Sequence, residues 1–272
     1  MSASLYLDVA GPPQAPLVVL QHGFAGSARN WRPQLRTLRD RWRVVAFDAR
    51  GHARSAARFH ATRFTLDDFV TDFIDVAGQV GGPGARFVAG GLSLGAAVAL
   101  HVALRSPERV RALVLAAIAP GGGAEHALSR VALAFADTIE HEGLEAAGER
   151  FVWGADSGLD AQAAQLVRQG FLEHPPPALA AILRQTIARL PAVEELAPAL
   201  ARLDVPTLVV AGSEDVASLE ASRFVARTLP RAQWVEIPGA GHVVNLAARE
   251  AFDAALLGFL ETLDAHDASQ AG

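Results

Sequence analysis

The stretch ARFVAGGLSLGAAVALHVALR, residues 85–105, reads as a β-strand, a tight turn and an α-helix. Its first part is a short apolar run, typical of a strand that is covered on both faces. Ser93 follows that run and lies two residues from Gly91 on one side and Gly95 on the other. Glycine permits the crowded backbone that such a turn requires. The stretch therefore predicts an α/β fold that presents one serine where a strand passes into a helix.

The rest of the chain repeats this alternation of short apolar runs and longer helical patterns. The predicted strands are residues 5–9, 16–21, 43–48, 86–91, 111–117, 206–212 and 233–239. Helical patterns lie between them, including one after Thr65, where Thr65 and Asp68 have the spacing of a capping box. A final apolar stripe comprises Phe252, Leu256, Phe259, Leu260 and Leu263. This order predicts a mostly parallel central sheet flanked by helices.

One long segment breaks the alternation. Residues 120–200 carry helical patterns without a predicted strand, so we expect a helical cap there, between a first core part, residues 1–119, and a second, residues 201–272. A segment inserted at this point follows the carboxyl end of a strand, where binding sites of parallel sheets lie. The sequence therefore predicts that the cap covers the active edge of the sheet.

Composition excludes several classes of function. The 272 residues carry a net charge of −5 with scattered basic residues, which argues against a nucleic-acid partner. The chain has no cysteine, which excludes disulfides and thiolate catalysis, and its 24 basic residues are all arginine, which excludes a lysine nucleophile. The N-terminal residues lack the pattern of a signal peptide, and no apolar run has membrane-spanning length. We expect a cytoplasmic protein without a membrane partner, as a monomer or homodimer.

A serine hydroxyl needs a base within hydrogen-bond reach and an acid that orients this base. His242 lies in a glycine-flanked loop after the last predicted strand, and Asp215 directly follows the strand before it. With Ser93, three loops at one sheet edge each supply one member of a catalytic triad. Taken alone, each residue has another interpretation. Asp215 would cap a helix beginning near Val216, and His242 would be a loop histidine that bonds to backbone. Glu214 is the alternative acid.

Developing negative charge on a carbonyl oxygen needs backbone donors. In LQHGFAGSARNW, residues 20–31, the predicted strand ends and the amide of Phe24 can point inward, while the amide of Leu94 opens the helix after Ser93. These two amides are the predicted oxyanion hole. The other histidines that we considered lack a matching acid and are interpreted as structural or surface residues: His22, His52, His101, His126, His141 and His174.

Together, HGF (22–24), DARGHARS (48–55), GLSLG (91–95), SED (213–215) and GAGHVVNL (239–246) resemble the α/β-hydrolase superfamily over nearly the full chain. The sequence is most similar to small bacterial carboxylesterases and 3-oxoadipate enol-lactonases. The resemblance implies a Ser-His-Asp triad, a helical cap and no cofactor or metal. It also implies cleavage of a small or medium carboxylic ester or lactone through an acyl-enzyme, with a small molecule as the partner.

Departures from the family pattern bear on the subgroup. The usual RGxGxS segment reads RGHARS here, with Ala53 at the second glycine, a change expected to affect structure rather than chemistry. Serine at position 93 excludes the aspartate nucleophile of haloalkane dehalogenases and epoxide hydrolases. Alternatives on the same triad are a cofactor-free haloperoxidase or perhydrolase, a C–C bond hydrolase and a menaquinone-pathway-type lyase. A non-catalytic small-molecule receptor is a further alternative.

Cap residues would select the substrate. Four aromatic residues are candidates for an apolar pocket roof: Phe135, Phe151, Trp153 and Phe171. Five arginines are candidates for contact with a substrate carboxylate: Arg130, Arg150, Arg168, Arg184 and Arg189. The sequence does not choose among them.

Overall fold

The computed structural model describes residues 5–58, 62–122, 127–154 and 161–270 of the chain. The strands are β1 (Tyr6–Ala10), β2 (Leu17–Gln21), β3 (Arg43–Asp48), β4 (Phe87–Leu92), β5 (Val110–Ala116), β6 (Thr207–Gly212) and β7 (Ala232–Ile237). Each of the predicted strands is present, with ends shifted by at most two residues. The apolar runs located the strands because both faces of the central ones are buried.

The strands form one seven-stranded sheet in the order β1-β3-β2-β4-β5-β6-β7. β1 pairs with β3 in antiparallel orientation, and the other neighbouring pairs are parallel. The predicted mostly parallel sheet is therefore confirmed. Because β4 lies in the middle of the sheet, the turn that carries Ser93 emerges at the centre of the carboxyl edge.

Helices cover both faces of the sheet. The α-helices among the described residues are α1 (Arg32–Leu38), α2 (Ala53–Arg58), α3 (Leu66–Gly81), α4 (Leu94–Arg105), α5 (Ala127–Phe151), α6 (Ala161–Leu172), α7 (Pro176–Gln185), α8 (Ala197–Leu200), α9 (Leu219–Thr228), α10 (Val244–Ala247) and α11 (Arg249–Gln270). Phe73 of α3 packs against Phe47 and Phe87 of the sheet on one face. On the other face, Phe252 of α11 packs against Trp31. No helix in the described ranges is long and apolar enough to cross a membrane.

The predicted capping box begins α3. The Thr65 side chain accepts a hydrogen bond from the backbone N–H of Asp68, and the Asp68 carboxylate accepts one from the backbone N–H of Thr65 at 3.0 Å. These bonds satisfy backbone donors that have no partner within the helix. The box fixes the start of α3 and with it the apolar face that packs on the sheet.

The helices between β5 and β6 lie against loops that follow β2 and β3. In α5, Gly143 has a φ of 88°, which interrupts the helix. Gln185 Oε1 accepts a hydrogen bond from the Phe64 backbone N–H at 2.9 Å, and the Thr186 hydroxyl donates to the Phe64 carbonyl oxygen. These α5–α7 helices therefore lie on the carboxyl side of the sheet, the side on which Ser93 emerges.

Candidate active site

Ser93 occupies a strained backbone position between β4 and α4. Its φ of 56° and ψ of −113° lie in a region that residues with a Cβ rarely adopt. Such a conformation costs of order 1–3 kcal/mol and persists only where the surrounding structure enforces it. The backbone N–H of Ser93 donates to the Ala116 carbonyl at 2.9 Å, and the Ser93 carbonyl accepts from Ala97 at 3.0 Å. The turn is thus held from the sheet on one side and from the helix on the other.

The glycines on either side of Ser93 are required by close backbone approach. A Cβ on Gly91 would lie 2.2 Å from the carbonyl group of Gly95. A Cβ on Gly95 would lie 2.2 Å from the carbonyl oxygen of Gln21 in β2. Both distances are far below van der Waals contact, so any larger residue would push α4 away from the sheet. The pattern noted in the sequence is a packing requirement of the turn.

Asp215 and His242 lie after β6 and β7 and meet in a direct hydrogen bond. His242 Nδ1 is 2.9 Å from Asp215 Oδ2, the Asp215 side chain is 2% exposed and the His242 ring is 44% exposed. Burial alone would raise the pKa of Asp215, but the hydrogen bonds from His242 and Ser218 and the His242 charge lower this pKa below its usual value. Asp215 is therefore ionised at neutral pH and orients the imidazole.

A residue that the sequence did not indicate completes this contact. The hydroxyl of the fully buried Ser218 donates to Asp215 Oδ2 and lies 3.1 Å from His242 Nδ1. The Ser218 backbone N–H donates to Asp215 Oδ1 at 3.3 Å. The available signal was the spacing of Asp215 and Ser218, three residues apart, at which an aspartate caps a helix.

The same segment corrects one expectation from the sequence. The helix after Asp215 begins at Leu219 rather than near Val216, and Val216 is 90% exposed. Asp215 nevertheless accepts hydrogen bonds at the helix start, because the Leu219 N–H donates to its backbone carbonyl at 2.9 Å. Asp215 therefore both contacts His242 and caps the start of this helix.

The hydroxyl of Ser93 makes no hydrogen bond to His242 in the described part of the chain. The structure thus joins two of the three predicted triad residues directly, and it holds the third, half-buried, at the same edge of the sheet. Catalytic hydrogen bonds are often long in proteins without substrate and shorten when the substrate binds. The imidazole contacts Asp215 through Nδ1, and 44% of the His242 side chain is exposed.

The loop after β2 lies beside the serine. A Cβ on Gly23 would be 3.3 Å from Ser93 Cβ, so the backbone at Gly23, just before Phe24, approaches Ser93 closely. The amide of Leu94 is the first of α4, and amides in the first turn of a helix have no partner within that helix. The two predicted oxyanion-hole amides therefore belong to backbone segments next to Ser93.

His22 fixes the peptide that carries the Phe24 amide. Its Nε2 accepts from the Ala49 N–H at 3.0 Å, so its hydrogen is on Nδ1, which donates to the Gly23 carbonyl at 2.7 Å. Burial lowers the pKa of His22 to about 4. The ring is therefore neutral at pH 7, in a single tautomer. Because a peptide group is planar, holding the Gly23 carbonyl also sets the direction of the Phe24 N–H.

Four of the remaining histidines have structural contacts. The buried His52 ring lies 4.8 Å from that of His22 and 5.4 Å from that of His174, and burial lowers the pKa of His52 well below its ordinary value. His101 and His141 each contact a carbonyl of their own helix. His126 lies outside the described residues. His174 contacts the loop after β2 through the Gly26 carbonyl.

The cap aromatic residues pack on one another and reach the loop after β2. The Phe24 ring contacts that of Phe135 at 5.7 Å, and Phe135 stacks on Phe151 at 4.7 Å and on Phe171 at 5.9 Å. Phe171 in turn contacts Trp153 at 5.4 Å. Phe135 and Trp153 are each 8% exposed and Phe171 is 2% exposed. These side chains form an apolar cluster beside the loop after β2.

Three of the five cap arginines pair with neighbouring carboxylates at the exposed surface. Arg150 pairs with Glu142 at 2.9 Å and Arg168 with Glu145 at 2.6 Å. Arg184 pairs with Glu140 at 2.7 Å. Arg184 and Arg189 also line a surface cavity of about 620 Å³ along α5 and α7. The acidic partners reduce the capacity of these three arginines to bind a substrate carboxylate. Arg130 in α5 also has an interaction partner.

Comparison with known proteins places the chain among hydrolases. The family model described as the alpha/beta hydrolase family matches residues 17–255. The putative carbamate hydrolase RutD of Caulobacter sp. (strain K31) is 31% identical and covers 94% of this chain and 95% of its own length. The 3-oxoadipate enol-lactonase 1 of Acinetobacter baylyi is 26% identical over 96% of this chain and 94% of its own. A thermophilic esterase from Thermogutta terrifontis superposes with a TM-score of 0.83 at 27% identity, covering 95% of this chain and 93% of that one.

Proposed function

We propose that this chain, which belongs to the alpha/beta hydrolase family, is a serine hydrolase that cleaves a small or medium carboxylic ester or lactone. The observation that carries the proposal is the 2.9 Å hydrogen bond between His242 Nδ1 and Asp215 Oδ2. This pair lies at the sheet edge from which the strained Ser93 turn emerges. A histidine that is oriented by a buried carboxylate can act as the general base that removes the proton of a serine hydroxyl at the same edge.

The reaction proceeds in two acyl-transfer steps. His242 Nε2 takes the proton of the Ser93 hydroxyl as the serine oxygen attacks the ester carbonyl, and the imidazolium then protonates the leaving alcohol. In the second step His242 takes a proton from water, whose oxygen attacks the acyl-enzyme, and Ser93 leaves with that proton returned. Asp215 stays ionised throughout and stabilises the imidazolium. Ser218 donates to the same carboxylate and holds its orientation.

The backbone amides of Phe24 and Leu94 stabilise the negative oxygen of each tetrahedral intermediate. Loss of one such donor typically costs about 3–4 kcal/mol of transition-state stabilisation. Phe24 acts through its backbone, so Phe24→Ala should affect kcat less than Ser93→Ala. The Phe24 ring packs on Phe135 of the cap, which links the loop after β2 to the cap.

The contacts of the cap favour a neutral substrate over an anionic one. Arg150, Arg168 and Arg184 already pair with carboxylates of the cap. The aromatic cluster beside the loop after β2 carries no charge: Phe24, Phe135, Phe151, Phe171 and Trp153. We therefore expect uncharged esters and lactones to be cleaved with higher kcat/KM than those that carry a carboxylate.

A carbamate is the second candidate substrate. The relative with 31% identity over 94% of this chain is named a putative carbamate hydrolase. Attack of a serine oxygen on a carbamate carbonyl uses the same base and the same oxyanion donors as attack on an ester. A carbamate is less electrophilic than an ester, so the ester reaction should be the faster of the two.

The test compares the wild type with Ser93→Ala and with Ser106→Ala as a matched serine control at the far end of α4. A fluorophosphonate should label the wild type and Ser106→Ala but not Ser93→Ala, and turnover of p-nitrophenyl acetate should follow labelling. A panel of neutral and anionic esters, lactones and carbamates then ranks the substrates. If Ser93→Ala is labelled at the wild-type rate, Ser93 is not the nucleophile. Tight ligand binding without turnover of any substrate would favour a receptor.

A further inference from the structure

His174 connects the cap to the loop that carries the Phe24 amide. It follows α6, and its ring is buried, with 5% of the residue exposed. Its Nδ1 lies 2.9 Å from the Gly170 carbonyl and 3.2 Å from that of Phe171, both at the end of α6. Its Nε2 lies 3.0 Å from the carbonyl of Gly26, 148 residues earlier in the chain. Both nitrogens face carbonyl oxygens, which can only accept, and a hydrogen on Nε2 would donate to the Gly26 carbonyl and join the cap to the core.

The target of this contact is a strained turn. The Gly26 N–H donates to the Gly23 carbonyl at 3.1 Å, which closes a β-turn over residues 23–26. Ala25 within it has a φ of 53°, a region that favours glycine. An alanine there costs about 1–2 kcal/mol relative to an ordinary conformation. The turn therefore depends on outside contacts to keep its shape.

These contacts converge on the Phe24 amide. His22 Nδ1 holds the Gly23 carbonyl from the core side at 2.7 Å, and Gly26 holds the same oxygen from within the turn. The Gly23 carbonyl and the Phe24 N–H belong to one planar peptide group, so fixing the oxygen fixes the direction of the hydrogen. Displacement of Gly26 would release one of the two bonds that set this direction.

We propose that His174 is a positioning residue for the oxyanion hole: its Nε2–H anchors the Gly26 carbonyl, and through the turn it keeps the Phe24 N–H directed at the reacting carbonyl oxygen. The inference rests on the proposed function, since it assigns a task within that site. If His174 has this role, the oxyanion hole stabilises the transition state fully only when the cap is in place. The neighbouring pair of Glu173 with Arg29, at 2.8 Å, also joins cap and core, but both side chains are exposed and neither contacts the turn.

A matched pair of substitutions tests this role. In His174→Gln the amide nitrogen takes the position of Nε2 and keeps a donor toward Gly26. In His174→Asn the amide reaches only the position of Nδ1, which keeps the contact with α6 and loses the one with Gly26. We expect His174→Asn to lower kcat about 10-fold with little change in KM, since complete loss of an oxyanion donor lowers kcat about 10²–10³-fold. His174→Gln should retain most of the wild-type kcat.

Glu173→Gln is the control for a general loosening of the cap, because it weakens the adjacent exposed cap–core pair without touching the turn. Its kcat should equal that of the wild type. Equal kcat values for His174→Asn, His174→Gln and the wild type would overturn the proposal, as would a loss of kcat that follows thermal stability across all three variants. A wild type that neither labels with fluorophosphonate nor turns over any ester would instead overturn the proposed function, and this inference with it.

Discussion

Replacing Ala53 with glycine should stabilise the protein. Ala53 has a φ of 40°, in the left-handed region. An L-residue with a Cβ pays about 1–2 kcal/mol to adopt this region. Glycine avoids that cost, but its greater freedom in the unfolded chain opposes folding by about 0.5–1 kcal/mol. The difference leaves a net increase of about 0.5–1 kcal/mol in the free energy of unfolding.

The matched control is Ala57→Gly in the same helix. Ala57 is exposed in α2 and is not among the residues with positive φ, so glycine there relieves no strain. It should lower the free energy of unfolding by about 0.5–1 kcal/mol. Urea unfolding of the two variants and the wild type measures both changes. The midpoint temperature of thermal unfolding should rise by about 2 °C in Ala53→Gly and fall by about 2 °C in Ala57→Gly.

A loss of stability in Ala53→Gly similar to that in Ala57→Gly would refute this reasoning, because the contacts of the Ala53 methyl group would then outweigh its backbone strain. Turnover of p-nitrophenyl acetate should be unchanged in both variants. The segment around Ala53 has a structural task, since the buried Asp48 carboxylate accepts from the Arg54 guanidinium at 2.7 Å and from the Ala28 N–H at 2.7 Å. A large change in kcat would show that the segment also acts on the chemistry.

Three further predictions follow from the site. Gly95→Ala should lower the free energy of unfolding by about 3 kcal/mol or more, because its Cβ would lie 2.2 Å from the Gln21 carbonyl oxygen. If urea unfolds this variant at nearly the same concentration as the wild type, the close approach of α4 to β2 is contradicted. Asp215→Asn should lower kcat about 10⁴-fold, since an amide no longer selects the imidazole tautomer. Its stability should be almost that of the wild type, because the amide oxygen still accepts from Ser218. A kcat within about 10-fold of the wild-type value would exclude Asp215 as the acid. The pKa of His22 is about 4 in the folded protein against an ordinary 6.5, so its contribution to stability is complete above pH 6.5 and is lost as the pH falls toward 4, by up to about 3 kcal/mol. Urea unfolding at pH 7, 5.5 and 4 should show this loss, and His22→Asn should show less of it.

The fold was predictable from the sequence because its signals are local. Apolar runs located β2, β4 and β6, whose residues are all buried, and the capping box at Thr65 located the start of α3. The interruption of α5 at Gly143 was not predicted, since one glycine in a helical pattern does not reveal its φ of 88°. The start of α9 was placed too early, because the turn after Asp215 continues to Ser218 before the helix begins.

The site was predictable only in part. The sequence predicted that Asp215 and His242 lie at one edge of the sheet, because each follows a strand and the strands of a parallel sheet end at the same edge; the structure brings the two side chains to 2.9 Å. Ser218 was missed, since its contact with His242 depends on the path of a loop. His174 was interpreted as structural or surface, because its contact with Gly26 joins parts of the chain 148 residues apart and no local pattern encodes it.

The attachment of Asp215 to the start of α9, through Ser218 and the Leu219 N–H, has a consequence beyond the site. The side chain that orients the imidazole is fixed to the first turn of this helix, so a small slide of α9 along the sheet would carry the imidazole with it. Val225 of the same helix is fully buried, and α9 packs on β6 and β7, so a change of size at Val225 should shift this packing. Substitutions there can therefore tune the reaction rate from a distance, and an evolving lineage could adjust turnover without altering any residue that meets the substrate.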